Sequence, residues 1–319
     1  MDTAPRTLRA SPAPLIRASL APRTGPPLWR DDALVRIRPG IYTVRTMWDA
    51  LEPWDRYRVR VHAFALARPD AVFSHESAAS LLGLPTFGHP RAIHIFDARR
   101  SRSVTYGDVT AHTSMDPRST LEFAGIRFTP VEDVVTDLAR VLPPAFALAV
   151  GDAAVARFGL RREVLLDRLD AQRNAFGVRR AKWTLQRVTA SGESPGESIS
   201  RAVIEWCGFP EPELQREHEV EGRVYRSDFC WPDRKIIGEM DGWVKYDDAG
   251  PAEATEVLRA EKRREDALRR RGWHVARWDY AGALSVGPLR AALVAAGLRP
   301  VRSPETAALT SVGRNPRSM

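Results

Sequence analysis

Two apolar-rich runs, residues 224–231 and 235–241, flank the turn-forming Pro232-Asp233-Arg234, and a β-hairpin is the fold that joins them most simply. With Asp233-Arg234 as a two-residue loop, Asp228 on the first strand stands directly opposite Glu239 on the second. Facing residues of an antiparallel pair have Cβ atoms roughly 5 Å apart, so like charges there repel. Asp241 lies two residues beyond Glu239, and strand alternation returns it to the same face. Three carboxylates then converge, a costly arrangement unless a cation neutralises it. Hard oxygen donors suit Mg²⁺ or Mn²⁺. Acidic side chains on a strand more often form a solvated outer face. Here the flanks are those of a half-buried strand, with Ile236-Ile237-Gly238 before Glu239 and Phe229-Cys230-Trp231 after Asp228.

Upstream, Ser194-Pro195-Gly196-Glu197 has the pattern of a capping box with proline in the first helical turn. Glu197 can close that cap, serve as a ligand, or do both. Its helix is expected to run to Gly208, burying Ile199, Val203, Ile204 and Cys207. Strands follow from Leu214 to Val220 and from Val224, then the hairpin's second strand. A helix over 252–271 stops at Gly272. A strand over Trp273–Trp278 and a helix over Gly287–Gly297 complete an α-β-β-β-α-β-α order, a mixed sheet flanked by helices. The 252–271 helix is rich in basic residues, among them Lys262, Arg263 and Arg264. Such a run is usually a solvated face, but this one adjoins the acidic site, where phosphate contacts are expected.

These residues, taken in order, resemble the very-short-patch-repair-type branch of the PD-(D/E)XK nuclease superfamily. The motifs are Asp228, Glu239-Met-Asp241-Gly242, Lys245-Tyr246, Glu261-Lys262-Arg263-Arg264-Glu265-Asp266 and Gly272-Trp273-x-Val275-x-Arg277-Trp278, within about residues 194–285. The resemblance implies a restriction-endonuclease-like core in which Asp228 and Glu239 bind Mg²⁺ and Glu197 matches a contributing upstream acid. The superfamily usually places Lys two residues after the second acid, where this chain has Asp241. Lys245 is the candidate substitute.

The amino-terminal half is expected to be α+β. Residues 34–44 alternate around Pro39-Gly40 and read as a hairpin, a candidate wing exposing Arg36 and Arg38. Helices are expected at 55–67, 74–83, 131–140, 144–156 and 161–169, with strands near 92–96, 109–114 and 126–130. Val35-x-x-x-Pro39-Gly40-x-Tyr42, Ser74-His75-x-Ser77-Ala78-Ala79-x-Leu81-x-Gly83-Leu84 and Phe128-Thr-Pro130-x-Glu132-x-Val134 resemble the antitoxin family of abortive-infection type IV toxin–antitoxin systems. That resemblance implies a winged-helix-like DNA-binding module and a cognate toxin as partner. His75 has no second histidine at helical spacing, so an ordinary hydrogen bond at the helix start is expected.

A chain of 319 residues accommodates two domains, and net charge +8 favours a polyanionic partner. Only four of the 48 basic residues are lysines, an arginine bias of the kind GC-rich codon usage produces, so part of that charge is background. Cys207 and Cys230 lack disulfide-framework or metal-ligand spacing, which suits a reducing cytoplasm. No apolar run reaches membrane-helix length, and no signal-peptide stretch or nucleotide-binding glycine loop is present. The expected organisation is a disordered basic segment at 1–29, the winged-helix-like domain at 30–187, a linker at 188–196, the nuclease-like domain at 197–300 and a disordered tail at 301–319. Two function classes stay open: a metal-dependent endodeoxyribonuclease, and a non-catalytic DNA-binding regulator or antitoxin retaining a degenerate nuclease fold. Neither needs a small-molecule cofactor or a membrane.

Overall fold

The computed structural model describes residues 7–21, 27–220, 222–241 and 263–318. It divides into two compact units of mixed α/β architecture: Met1–Leu142 with Ala153–Val188 and Asn315–Met319, and Pro143–Asp152 with Thr189–Arg314.

In the first unit, β1 (Ile16–Arg17), β2 (Leu34–Arg38) and β3 (Ile41–Val44) form a sheet in the order β1-β3-β2. Gly40, at φ 74°, makes the reversal that Pro39-Gly40 signals. Next come α1 (Arg45–Asp49), α2 (Pro53–Ala67), β4 (Val72–Phe73) and α3 (His75–Leu82). A second sheet adds β5 (Ile93–Phe96), β6 (Val104–Tyr106), β7 (Val109–His112), β8 (Leu121–Phe123) and β9 (Ile126–Phe128), in the order β6-β7-β5-β4-β9-β8. Helices α4 (Val131–Val141), α5 (Pro144–Phe158), α6 (Arg162–Asp170) and α7 (Val178–Leu185) follow; α4 packs against α3, α6 and α7, and the part of α5 up to Asp152 belongs to the second unit. The sequence announces the hairpin and the longer helices. Strands of two or three residues, such as β4, are too short to carry a period, so the six-stranded sheet is not legible from alternation.

The termini depart from the expected disorder. Ala13 is buried, Thr43 donates to the Pro14 carbonyl at 2.7 Å, and β1 pairs with β3. At the other end, Ser318 forms a bridge with Pro90, and its hydroxyl accepts the His89 amide at 2.6 Å. Nor is 189–196 a free linker, because the Asp152 carboxylate gathers the Thr189 amide (2.8 Å), the Ser198 hydroxyl (2.7 Å) and Arg201 (2.7 Å) within the second unit. Arg38 is not an exposed wing residue either. It lies 4.7 Å over the Phe64 ring and pairs with Asp108 at 2.6 Å, while Arg36 is exposed.

All eight residues of α3 are buried, including His75, Glu76, Ser77 and Ser80, so its polar groups must find partners inside. They do so through a network drawn from distant segments. Arg317 forks onto Glu76, with Nη2 2.7 Å from Oε2, and Arg118 forks onto Asp137. His94 Nδ1 meets His112 Nε2 at 2.9 Å, and the His75 and His112 rings stack at 3.7 Å. The expected hydrogen bond at the helix start exists, between His75 and Ser74 at 3.2 Å, but it is one part of this larger cluster. Burial lowers all three histidines, His94 to about 4 and His112 to about 3. The unfolded chain therefore takes up protons below pH 6.5 that the native state refuses, and stability falls as pH falls from about 6.5 toward 4. The loss is on the order of 2 kcal/mol per histidine. Thermal melts from pH 7 to 4.5 are expected to show this decline, and His112→Asn is expected to flatten it.

In the second unit, α8 (Pro195–Trp206) leads into β10 (Glu213–Val220), β11 (Arg223–Trp231) and β12 (Ile236–Asp241). Helix α9 (263–270) precedes β13 (His274–Asp279), α10 (Tyr280–Ser285), α11 (Gly287–Ala295) and α12 (Thr306–Leu309). The sheet order is β10-β11-β12-β13, antiparallel except for the parallel β12–β13 pair. One face carries Cys230 and Ile237 against Ala267 and Leu268 of α9. On the other, Trp278 packs on Phe229 with ring centroids 5.5 Å apart and donates to Ser200 of α8 at 2.8 Å. Gly238 permits this: a Cβ there would lie 2.7 Å from the Trp278 ring and 3.2 Å from Phe229. The ring is rigid and walled in, so Gly238→Ala is expected to cost about 1–3 kcal/mol in chemical denaturation and to shift the neighbouring Glu239.

Candidate functional site

The expected register is present. Phe229 pairs with Gly238, Cys230 with Ile237 and Trp231 with Ile236, which puts Asp228 and Glu239 at the next facing position. The connection differs in detail, being a 3-10 turn over Pro232–Arg234 followed by Lys235 in the left-handed region (φ 51°) rather than a two-residue loop. Its centre is unchanged, so the pairing is too.

Beyond Phe229 the ladder yields to side chains. The Met240 amide donates to Asp228 Oδ2 at 2.8 Å. On the other flank, Gln215 would face Asp228, but the β10–β11 register skips this pair, and Gln215 has φ 52°. Its side-chain amide donates to Glu197 Oε2 at 2.8 Å and also hydrogen-bonds Asp228. A non-glycine residue held in this conformation costs on the order of 1 kcal/mol. Gln215 thus ties Glu197 to Asp228.

Glu197 performs its capping role: its amide donates to Ser194 Oγ at 3.2 Å, and its carboxylate accepts the Glu193 amide at 3.0 Å. It simultaneously faces the acidic site. Burial raises the proton affinity of Glu197, and the nearby Asp228 charge adds to the rise. Burial raises Asp228 as well, against the pull of the Met240 and Gln215 hydrogen bonds. Glu239 is pushed up to about 7, by burial first, with Asp228 contributing and Arg264 opposing. Arg264 of α9 lies 3.3 Å from Glu239 Oε2.

The remaining expected residues fall differently. Asp241 does not join the pair; it is exposed at the end of β12 and bonded to Arg277 at 3.1 Å. Arg264 is turned onto Glu239 rather than outward as a solvated phosphate contact, whereas Arg263 is exposed. Lys245 and Lys262 lie outside the described residues, as does the first part of the helix expected over 252–271. Among the described residues no three His, Cys, Asp or Glu side chains form a ready-made metal cage. Mg²⁺ does not need one, since it is commonly held by one or two carboxylates, waters and a substrate phosphate. Two half-buried carboxylates of raised proton affinity fit that donor set. Gln215 is the site residue that the motifs do not announce. In the sequence, Glu221-Gly222 carries the signal, because a reversal centred there would set Gln215 opposite Asp228.

The Glu239 carboxyl stays protonated to higher pH in the native state than in the unfolded chain. Its burial therefore costs nothing near pH 4.5 and destabilises progressively up to about pH 7. Glu239→Gln is expected to melt like the wild type at pH 4.5. At pH 8 it is expected to be more stable by on the order of 2 kcal/mol, as differential scanning calorimetry would measure.

Both cysteines are free and buried, and among the described residues no helix is long and apolar enough to cross a membrane. No family model matches the chain, and no solved structure matches it. Two curated relatives do, the "Uncharacterized protein Rv2248" and the "Uncharacterized protein MT2308" of two Mycobacterium tuberculosis strains. Each is 32% identical over 200 residues, covering 62% of this chain and 70% of the relative. The chain belongs to the family of these mycobacterial proteins.

Proposed function

We propose that the second unit is a Mg²⁺- or Mn²⁺-dependent endodeoxyribonuclease domain, of the PD-(D/E)XK kind that its motifs resemble, in a protein that binds DNA. The observation that carries this reading is the facing of Asp228 and Glu239 across one hairpin, both half-buried and both raised in proton affinity. Carboxylates perturbed by desolvation together with a specific charge partner are the groups from which functional sites are built. The Glu239–Arg264 contact lets a phosphate-bearing substrate approach next to a guanidinium.

Asp228 and Glu239 would hold the metal. A bound Mg²⁺ supplies an acidified water and neutralises charge on the attacked phosphate. The chain's own groups do the rest. The Met240 amide and the Gln215 side chain fix the Asp228 carboxylate, leaving its remaining lone pairs for a cation. Glu197, held by the same Gln215, faces the site from the start of α8. Lys245 is the proposed group for orienting water or stabilising charge on the phosphate.

A second reading has its own support. Asp241, at the position where the superfamily usually has lysine, is bonded to Arg277, and Arg264 already offsets part of the Glu239 charge. These contacts favour a non-catalytic DNA-binding regulator, such as an antitoxin with a toxin partner, whose nuclease-like unit serves as an interaction domain.

Supercoiled plasmid separates the two. The wild type is expected to nick or linearise it with Mg²⁺ or Mn²⁺, faster as pH rises to about 7 and Glu239 ionises. Glu239→Ala and Asp228→Asn are expected to lose at least about 100-fold, the scale on which one charge-stabilising group is felt. No cutting with either metal, or equal cutting by Glu239→Ala, would overturn the nuclease reading.

A further inference from the structure

A cleft of about 1040 Å³ opens on the first unit, between Arg38 at the end of β2, Arg68 after α2, the segment following β5 and the β6–β7 turn. Its walls combine guanidinium groups with aromatic rings. Arg38 lies 4.7 Å over Phe64, Arg118 5.4 Å over Phe96 and Arg100 5.7 Å over Tyr106. Arginine stacked on aromatic faces, in a concave site, is the composition that receives bases and phosphates together.

The ion pairs in the cleft are incomplete in charge. Asp97 is shared by Arg99 at 3.2 Å and Arg100 at 3.1 Å. Asp108 is shared by Arg38 of the cleft wall, at 2.6 Å, and by Arg60, at 3.3 Å; Arg60 stands outside the lining and also donates to the Pro90 and Arg91 carbonyls. One carboxylate neutralises one guanidinium, so each triad keeps a surplus positive charge that an incoming anion can satisfy without breaking a pair. Arg118, by contrast, is locked onto Asp137 and belongs to the core. Arg127 donates only weakly, at 3.5 Å to the Asp70 carbonyl, and Arg68 is exposed at the rim. Tyr106 is 46% exposed, with Arg100 over its ring, and so offers an aromatic surface for stacking beside those charges.

We propose that this cleft is a nucleotide-binding site, in which a base stacks on Tyr106 and its phosphates engage the Arg99–Asp97–Arg100 and Arg38–Asp108 groups. The ligand chemistry is a planar base joined to phosphate, presented by a single strand or by a free nucleotide. A duplex keeps its bases stacked inside and offers Tyr106 no face. The site goes beyond the nuclease reading and needs neither metal nor the Asp228–Glu239 pair.

The test uses the full chain carrying Glu239→Ala, in EDTA, so that loss of cleavage and loss of cleft binding are read separately. Fluorescence anisotropy is recorded with a labelled single-stranded DNA octamer, with the same sequence as a duplex, and with AMP or GMP as competitors. Single-strand binding is expected, weakened about tenfold by Tyr106→Ala and restored by Tyr106→Phe. Arg99→Gln with Arg100→Gln is expected to lower the slope of log affinity against log salt by about 0.7, the value for one fewer phosphate neutralised on a single strand. Competition by a mononucleotide at micromolar concentration assigns the site to free nucleotides, and its absence assigns it to strands. Tyr106, Arg99 and Arg100 are at the surface, and thermal melts of all the variants, the Glu239→Ala parent included, check their folding. The proposal is overturned if neither ligand binds, if Tyr106→Ala binds as tightly as the parent, or if only the duplex binds.

Discussion

The approach of Trp278 to the bare backbone of Gly238 is the contact on which the second unit's acidic site depends. It presses the middle of β12 against the layer formed by Phe229 and α8, while Ile237 and Cys230 fill the opposite face. A hairpin with both faces packed has one permissible register, because a one-residue slip would exchange its two faces. That register sets Asp228 beside Glu239. The acids therefore sit together because apolar packing on either side leaves them nowhere else to go.

Two ionic clusters in this chain, one buried and one half-buried, hold their carboxylates differently. In the first unit, Glu76 is held at about 2 despite burial, with His94 and the forked Arg317 favouring its charged form. Asp137 in the same cluster is raised by burial even with Arg118 forked onto it, so there an opposite charge moderates the cost of desolvation without cancelling it. In the acidic site of the second unit the rise alone is seen. Glu197, Asp228 and Glu239 are all raised, and the amides of Gln215 and Met240 and the Arg264 guanidinium do not cancel the cost of desolvation. Such a site stores an unmet demand for positive charge. The two units consequently respond to pH in opposite senses, the first losing stability as histidines face protonation and the second as Glu239 ionises.

What is legible in the sequence is local. Alternation about a turn sets the facing of Asp228 and Glu239, and Ser194-Pro195-x-Glu197 announces a helix start whose cap is formed as expected. The long helices and the α8-β10-β11-β12 series follow from periodicity. The rest depends on contacts without any sequence period. His75, His94 and His112 come from α3, β5 and β7, and Arg317 reaches Glu76 across 241 positions. The left-handed Gln215 is equally silent in composition, because its conformation is imposed by what its side chain ties together. Arg264 reads in the sequence as one member of a solvated basic face, and only the packing of Ala267 and Leu268 rotates it onto Glu239.

That rotation bears on what the site can do. Two carboxylates against one guanidinium leave an excess of negative charge in a half-desolvated space, and Glu239 rises to about 7 even with Arg264 at 3.3 Å. On the nuclease reading, a dication reverses the excess, and an incoming phosphodiester then restores neutrality. Metal and substrate would each favour the other's binding, since neither alone leaves the cluster balanced. Arg264 thereby weakens the metal's hold in the absence of DNA while favouring the complex that contains both. On the regulator reading, the same guanidinium is simply a partial substitute for the cation, and DNA would leave metal affinity unchanged. The sign of that coupling follows from the charge on three side chains, and it separates a catalytic site from its degenerate descendant even before any bond is cut.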